Sequence, residues 1–267
     1  MKSKSTAVMI LAGGKATRLG AICQDTPKSM LMVGKYPFLA YLVVGYLRYG
    51  LEPIVILAGY LGEVITRYFS HKPWENKPIH VHHLVSDDGT YGTGARLIRD
   101  AKIVNTDNIL LLNGDTVTDF SIQELMEQHQ SSKSSCTVVL TRLFKVPNHG
   151  AFLVGKQNKI LASLEMDILG RNQLPDPTKV IWRGSSTGAI LFRREALLDM
   201  PLTIGQSLER QLLPSLIAQG QVMAFDNGTR LFFDFGYPDK LMYLQEHAEE
   251  VIKIYGSPKM SAEEISI

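Results

Sequence analysis

Apolar positions in the first half of the chain alternate between short unbroken runs and helical spacing. Ala7 to Leu11 is a continuous apolar run that meets Gly13-Gly14, which predicts a strand buried on both faces that stops at a loop. Pro37 suits a first helical turn, and Phe38-Leu39-Ala40-Tyr41-Leu42-Val43-Val44 then continues to Gly50 as a helix C-cap. The same alternation predicts a strand from Pro53 to Ala58, a helix from Leu61 to Phe69, and a strand from Ile79 to Val85. A helix from Gly94 to Ile103 and a strand from Ile109 to Asn113 follow. Strands separated by helices at this rhythm imply βαβ units with right-handed crossovers and a largely parallel sheet, whose ligands bind beyond the carboxyl ends of the strands.

After about Gln130 the texture changes. Cys136 to Thr141, Ala151 to Val154 and Ile160 to Glu165 are short strands separated by turn residues, which predicts antiparallel additions or a lid where substrate selection resides. A helix around Ser207 to Gln219, a strand from Leu231 to Phe235 and an amphipathic helix from Pro238 to Tyr255 complete the pattern. The stripe Leu241, Leu244, Ala248, Val251, Ile252 and Tyr255 follows helical spacing and reads as core packing, with a homodimer face as its other use. No repeat or low-complexity linker divides the chain. The expected organisation is one domain over 1–256, with a nucleotide-binding part at about 1–130, a sugar-binding part at about 131–235 and a tail at 257–267.

Composition narrows the function classes. The 267 residues are 45% hydrophobic and 20% charged, values of an ordinary globular chain rather than a disordered or fibrous one. A net charge of +2 is too balanced for a non-specific nucleic-acid coat or a polybasic membrane anchor, so an anionic ligand must be gripped locally. Cys23 and Cys136 lie far apart without CxxC spacing, which supports neither a disulfide framework nor a thiolate zinc site. His80 and His82 share a strand face beside His83, but without a third ligand they read as structural or exposed. The apolar run after Met1-Lys2-Ser3-Lys4-Ser5 is too short for a signal peptide, and nothing approaches the ~18 apolar residues of a membrane span. A cytoplasmic chain is the expectation.

The chemistry concentrates at Leu11-Ala12-Gly13-Gly14-Lys15-Ala16-Thr17-Arg18, followed by Asp25-Thr26-Pro27-Lys28. Glycines directly after a buried strand let backbone N–H groups approach a phosphate chain, and Arg18 and Lys28 add positive charge; the alternative is a glycine turn with two solvated cations. The spacing matches neither the GxxxxGK[ST] phosphate loop nor the GxGxxG dinucleotide fingerprint. Asp115, in Asn113-Gly114-Asp115, stands just past a buried strand, and Asp234 is embedded in the apolar run Leu231 to Phe235. An unpaired charge there is costly, and a cation shared by the two carboxylates relieves it. Two carboxylates with open positions suit Mg²⁺, which keeps waters and takes further ligands from substrate phosphates. Taken singly, Asp115 is equally compatible with an Asn-Gly-Asp turn and Asp234 with a capping or salt-bridged residue.

Six segments occur in an order that resembles the sugar-1-phosphate nucleotidylyltransferases. They are Leu11-Ala12-Gly13-Gly14 through Thr17-Arg18-Leu19, Thr26-Pro27-Lys28, Tyr91-Gly92-Thr93-Gly94-Ala95, Asn113-Gly114-Asp115, Ser207-Leu208-Glu209 with Leu213-Pro214, and Asp234-Phe235-Gly236-Tyr237-Pro238. They look most like the D-glycero-D-manno-heptose 1-phosphate guanylyltransferase branch, with thymidylyl-, mannose-1-phosphate guanylyl- and cytidylyltransferases as relatives. The resemblance implies a Rossmann-like α/β fold with a mixed, mainly parallel sheet flanked by helices and a small antiparallel sugar-side lid. It implies transfer of a nucleotidyl group from an NTP to a sugar 1-phosphate with release of pyrophosphate, the branch pointing to GTP and a heptose 1-phosphate for surface-glycan precursors. Arg18, Lys28 and Asp115 would be catalytic, and Asp115 with Asp234 would hold Mg²⁺. Leu11, Ala12, Gly13, Gly14, Thr17, Gly92, Thr93 and Asn113 would contact the nucleotide, and Gly150, Glu165, Thr187 and Gly188 the sugar.

Three positions depart from that family's pattern. Ala16 stands where many relatives have glycine before Thr-Arg, Met166 follows Glu165 where relatives often carry a lysine for the sugar phosphate, and Arg183-Gly184-Ser185-Ser186-Thr187-Gly188 replaces an Asn-Ala-Gly-like segment. Arg183 or Lys145 could replace the missing lysine, or remain solvated. Two other outcomes stay open: a catalytically weak nucleotide-binding regulatory homologue, and a cytidylyl-, thymidylyl- or uridylyltransferase for another phosphorylated substrate. The expected partners are the NTP and the sugar 1-phosphate, with neither nucleic acid nor membrane.

Overall fold

A computed structural model describes residues 5–71, 74, 77–83, 91–143, 150–164 and 174–258. Its elements run β1 (Thr6–Ala12), β2 (Met32–Val33), β3 (Tyr36–Pro37), α1 (Phe38–Arg48), β4 (Ile54–Ala58), α2 (Gly62–Phe69), β5 (Ile79–His83) and α3 (Thr93–Asp100). They continue β6 (Asn108–Asn113), β7 (Thr116–Thr118), α4 (Ile122–Ser131), β8 (Cys136–Thr141), β9 (Ala151–Val154), β10 (Ile160–Ser163) and β11 (Trp182–Arg193). The last are α5 (Arg194–Leu198), α6 (Leu213–Ala218), β12 (Val222–Asp226), β13 (Phe232–Asp234), α7 (Pro238–Glu246) and α8 (Ala248–Tyr255). The architecture is Rossmann-like α/β, a mixed and mainly parallel sheet flanked by helices. The chain divides into two compact units, one made of Met1–Asp88, Leu111–Val117 and Phe233–Ile267, the other of Gly89–Leu110 and Thr118–Phe232.

In the first unit β1 pairs in parallel with β4, Val8 opposite Ile54 through Ala12 opposite Ala58, and β4 pairs in parallel with β5. Every residue of β4 is buried, which is why its sequence is an unbroken apolar run rather than an alternating one. Helix α1 buries Phe38 through Tyr46, and Phe38 meets Phe235 edge to face with centroids 4.9 Å apart. A Cβ on Gly45 would stand 2.9 Å from the Tyr255 ring, so glycine is what lets α8 lie against α1. The single helix expected from Pro238 to Tyr255 is two. At His247 (φ −114°) the ladder breaks: its ring stacks on Tyr243 at 4.0 Å, and its backbone N–H and Nδ1 both engage the Tyr243 carbonyl. Leu241, Leu244, Val251 and Tyr255 of the predicted stripe are buried, whereas Ile252 is exposed.

In the second unit β8 pairs antiparallel with β11 and parallel with β12, while β9 pairs antiparallel with both β10 and β11. β11 was not expected from the sequence. Its Gly184-Ser185-Ser186-Thr187-Gly188 stretch has turn composition, yet the register shift between Ser186 and Ile190 absorbs it as a bulge. Helix α4, also unexpected, starts at Ser121, whose hydroxyl accepts from the Glu124 N–H, and its far end is closed by Arg193, which donates to the carbonyls of His129, Ser132 and Ser134. Predicted helix Ser207 to Gln219 begins as a wide π turn over Leu208–Leu212 before α6. No helix among the described residues is long and apolar enough to cross a membrane.

Candidate active site

β1 ends at Ala12, and the chain then turns through Gly13-Gly14-Lys15 into a 3-10 turn at Thr17–Cys23. Ala16 takes the left-handed conformation (φ 48°, ψ 40°), and Gly20 lies at φ 54°, ψ −126°, a region reserved for glycine. Beside this loop is a cleft of about 250 Å³ within the first unit, lined by Leu11, Ala12, Gly14, Thr17, Arg18, Lys28, Gly114, Asp115 and Gly236 among others. That volume is below the roughly 300–1,000 Å³ of sites that enclose a whole small ligand, and fits a cradle for a phosphate chain. The Gly114 N–H donates to the Leu11 carbonyl at 2.9 Å, tying the segment that carries Asp115 to the glycine loop.

β7 and β13 pair as a separate two-stranded sheet. Asp115 immediately precedes β7 and Asp234 closes β13, so this pairing draws together carboxylates far apart in sequence. Lys28 stands between them: its Nζ is 2.7 Å from Asp115 Oδ2 and 3.2 Å from Asp234 Oδ1. Each carboxylate has another donor, Thr116 Oγ1 to Asp115 Oδ1 at 3.2 Å and the Gly236 N–H to Asp234 Oδ1 at 2.7 Å. Asp234 is less buried than the apolar run around it suggested, its side chain being 39% exposed, because short β13 is half-buried along its whole length. Its charge is compensated by direct pairing.

Arg18 lies over the Tyr237 ring, 5.0 Å from the centroid. Hydrogen bonding to Tyr237 raises the guanidinium pKa above its ordinary value against a smaller opposing effect of burial, and Asp234 and Asp115 reinforce the rise. Lys240 also approaches this ring, at 5.3 Å. Tyr237 belongs to the sixth segment named in the sequence, but no role was assigned to it there.

The remaining candidates lie in other settings. Asn113 ends β6, half-buried, one residue before Gly114. In the second unit the Gly92 and Ser207 segments are joined: the Gly94 N–H donates to the Gln206 carbonyl at 2.9 Å, and Thr93 Oγ1 accepts from the Leu208 N–H at 3.0 Å. A Cβ on Gly92 would stand 2.5 Å from the Gln206 carbonyl oxygen, which explains the glycine. Gly150 (φ 60°) accepts from the Ser186 N–H at 2.9 Å, so it adjoins the β11 bulge. Thr187 there is buried, its hydroxyl donating to the Val139 carbonyl, and Gly188 (φ 77°) donates its N–H to Ser186 Oγ. Glu165, Met166 and Lys145 lie outside the described residues. Among the described residues no group of three or more His, Cys, Asp and Glu side chains is arranged to hold a metal, so a cation at Asp115 and Asp234 would draw its other ligands from elsewhere.

A parallel α/β unit with a glycine loop, two basic residues and paired carboxylates at its strand ends is the outline of a phosphoryl-group transferase, and residues 7–163 match the nucleotidyl transferase family, to which the chain belongs. Mannose-1-phosphate guanylyltransferase from Mycobacterium tuberculosis is 24% identical over 261 residues, 97% of this chain and 68% of the relative. D-glycero-alpha-D-manno-heptose 1-phosphate guanylyltransferase from Aneurinibacillus thermoaerophilus is 22% identical over 245 residues, 91% of this chain and 99% of the relative. The crystal structure of HddC from Yersinia pseudotuberculosis superposes with a TM-score of 0.70 at 21% identity, covering 90% of this chain and 98% of that one. That likeness is one of fold; HddC has also been crystallised with GMP-PN.

Proposed function

We propose that the chain is a sugar-1-phosphate nucleotidylyltransferase, taking GTP and a heptose 1-phosphate or a closely related sugar phosphate. A phosphate oxygen of the sugar 1-phosphate attacks the α-phosphorus of the NTP in line. A new P–O bond forms, the bond from the α-phosphorus to the bridging oxygen breaks, and pyrophosphate leaves with that electron pair. The attacking phosphate is already ionised, so no strong general base is required, and positioning with charge neutralisation supplies the rate. Backbone N–H groups at Gly13 and Gly14 cradle the phosphates, while Arg18 and Lys28 neutralise them. Asp115 and Asp234 would hold Mg²⁺, and the donor set suits it: two hard carboxylate oxygens, which leave room for water and phosphate. When bound, the ion contributes charge neutralisation to the reacting phosphates.

Gly92 and Thr93, with Gly94, border the base in this reading, Asn113 is a nucleotide contact, and Gly150, Glu165, Thr187 and Gly188 belong to the sugar side. The observation that carries the proposal is the convergence of Lys28, Asp115 and Asp234 beside the glycine loop. A cytoplasmic location belongs to this reading. Incubation with Mg²⁺ and a matrix of four NTPs against hexose and heptose 1-phosphates, with pyrophosphate measured, tests it. Release is expected with GTP. Calorimetric nucleotide binding without pyrophosphate from any pair would replace the enzyme with a regulatory nucleotide-binding homologue.

A further inference from the structure

Lys28 Nζ lies where a cation serving both aspartates would take its protein ligands, 2.7 Å from Asp115 Oδ2 and 3.2 Å from Asp234 Oδ1. It is the more enclosed partner: the Lys28 side chain is 12% exposed against 39% for each carboxylate. The buried Phe235 ring adds a third contact, 5.1 Å from the ammonium to its centroid. We infer that Lys28 is a built-in counter-ion that keeps Asp115 and Asp234 from holding a divalent cation until a polyphosphate draws the ammonium away.

The charges point that way. With Lys28 in place the three side chains sum to one negative charge; without it they sum to two. A divalent ion approaching the nucleotide-free protein must either share the carboxylates with a positive group at hydrogen-bond distance, where like-charge repulsion is strong, or displace it. Mg²⁺ gives up water reluctantly, and two carboxylates are a poor inducement. A triphosphate alters both terms. Its roughly four negative charges offer Lys28 a competing partner, and its oxygens supply metal ligands beyond the two carboxylates.

The supports of the carboxylates fit such an exchange. Thr116 Oγ1 holds Asp115 and the Gly236 N–H holds Asp234, each without Lys28, so both carboxylates keep their places when the ammonium leaves. Gly236 also leaves space, since a Cβ there would stand 3.2 Å from Lys28 Nζ. Nucleotide and metal binding are then coupled, each raising the affinity for the other. The inference rests on the nucleotidyl-transfer proposal for the identity of the polyphosphate; competition at the two carboxylates stands without it.

Mn²⁺ titration of the nucleotide-free full chain, with free Mn²⁺ followed by electron paramagnetic resonance, tests the inference. Wild type is expected to bind weakly and Lys28→Met about tenfold or more tightly, with Mn²⁺ raising the melting temperature of the variant but not of wild type. Adding Asp115→Asn to Lys28→Met should abolish the gain. Lys28→Gln, which keeps a polar group in the half-solvated cleft, replaces Lys28→Met if the latter fails to fold. A folded variant with wild-type Mn²⁺ affinity overturns the counter-ion role. If that happens while wild type still releases pyrophosphate, the enzyme proposal survives; if the gain is seen but no substrate pair releases pyrophosphate, the counter-ion role survives and the enzyme proposal falls.

Discussion

Gly114 and Leu11 make a backbone contact that admits no side chain: the Gly114 N–H donates to the Leu11 carbonyl at 2.9 Å, and a Cβ on Gly114 would lie 2.7 Å from that oxygen. Asp115 is therefore positioned by the end of β1. Gly114→Ala must push one segment off the other, an overpacking cost of about 1–3 kcal/mol. A displacement of about 1 Å at Asp115 is expected to lower pyrophosphate release about 100-fold. Steady-state kinetics with a melting curve checks both, and unchanged turnover would show that Asp115 needs no such placement.

Asp115→Asn keeps the shape of the side chain and removes its charge, leaving Lys28 with Asp234 as its carboxylate partner. The fold should survive, since the site is partly solvated. Turnover with saturating substrates should fall by about two orders of magnitude or more, the usual scale for losing a group that stabilises transition-state charge. A variant as active as wild type would refute the assignment of Asp115.

Ala16 supplies a test of stability. Its φ of 48° carries a steric cost of about 1–2 kcal/mol for a residue with a Cβ, partly offset by the greater unfolded-state entropy of glycine. Ala16→Gly is expected to stabilise the protein by about 0.5–1 kcal/mol, a rise of roughly 1–2 °C in melting temperature for a chain of this size. Scanning calorimetry decides it; a fall would mean that loop rigidity outweighs strain.

Tyr237 faces Arg18 with its ring, 5.0 Å from the guanidinium, and carries the hydroxyl whose hydrogen bonding raises the Arg18 pKa. Tyr237→Leu removes both and should raise KM for the nucleotide about fivefold, the equivalent of the roughly 1 kcal/mol carried by an exposed cation–π contact. Tyr237→Phe, which keeps the ring, should fall between. Equal effects of the two substitutions would assign the whole contribution to the hydroxyl.

The Arg142–Asp226 pair gives a pH dependence. Hydrogen bonds from Arg142 hold the Asp226 carboxyl below its ordinary value against the opposing effect of burial, with the Gly228 N–H assisting. A carboxyl depressed by folding adds stability above its unfolded pKa and loses it as pH falls through the folded one. The melting-temperature difference between wild type and Arg142→Met should therefore be present at about pH 6 and shrink as pH falls below the ordinary carboxylate range. A difference that persists in acid would mean that packing of Arg142 on Trp182, 4.8 Å away, is what the substitution removes.

Much of this organisation was legible because it rests on local signals. The β1 run, the glycine loop and the position of Asp115 past β6 follow from burial pattern and strand-end geometry, and the α1, β4 and β8 boundaries agree within a residue or two at most ends. β11 was hidden because its turn-like residues become strand only through pairing with β8 and β9. The break at His247 was hidden because Tyr243 stacking, not proline or glycine, interrupts the helix. Helix α4 could have been found, since Ser121 with Glu124 three positions on is a helix-start pattern. The Lys28 bridge is a tertiary relation, and no spacing announces it.

Because the first unit takes its last strand and two helices from Phe233–Ile267, the phosphate cradle begun at Leu11 acquires Asp234 and Gly236 only after the second unit has been synthesised. A ribosome-bound nascent chain must carry the opening βα segments unfinished, with the Phe38 face awaiting Phe235 and Tyr255. Translation itself thus delays competence: a prematurely terminated product ending before Asp234 would retain the glycine loop but lack half of the acidic pair.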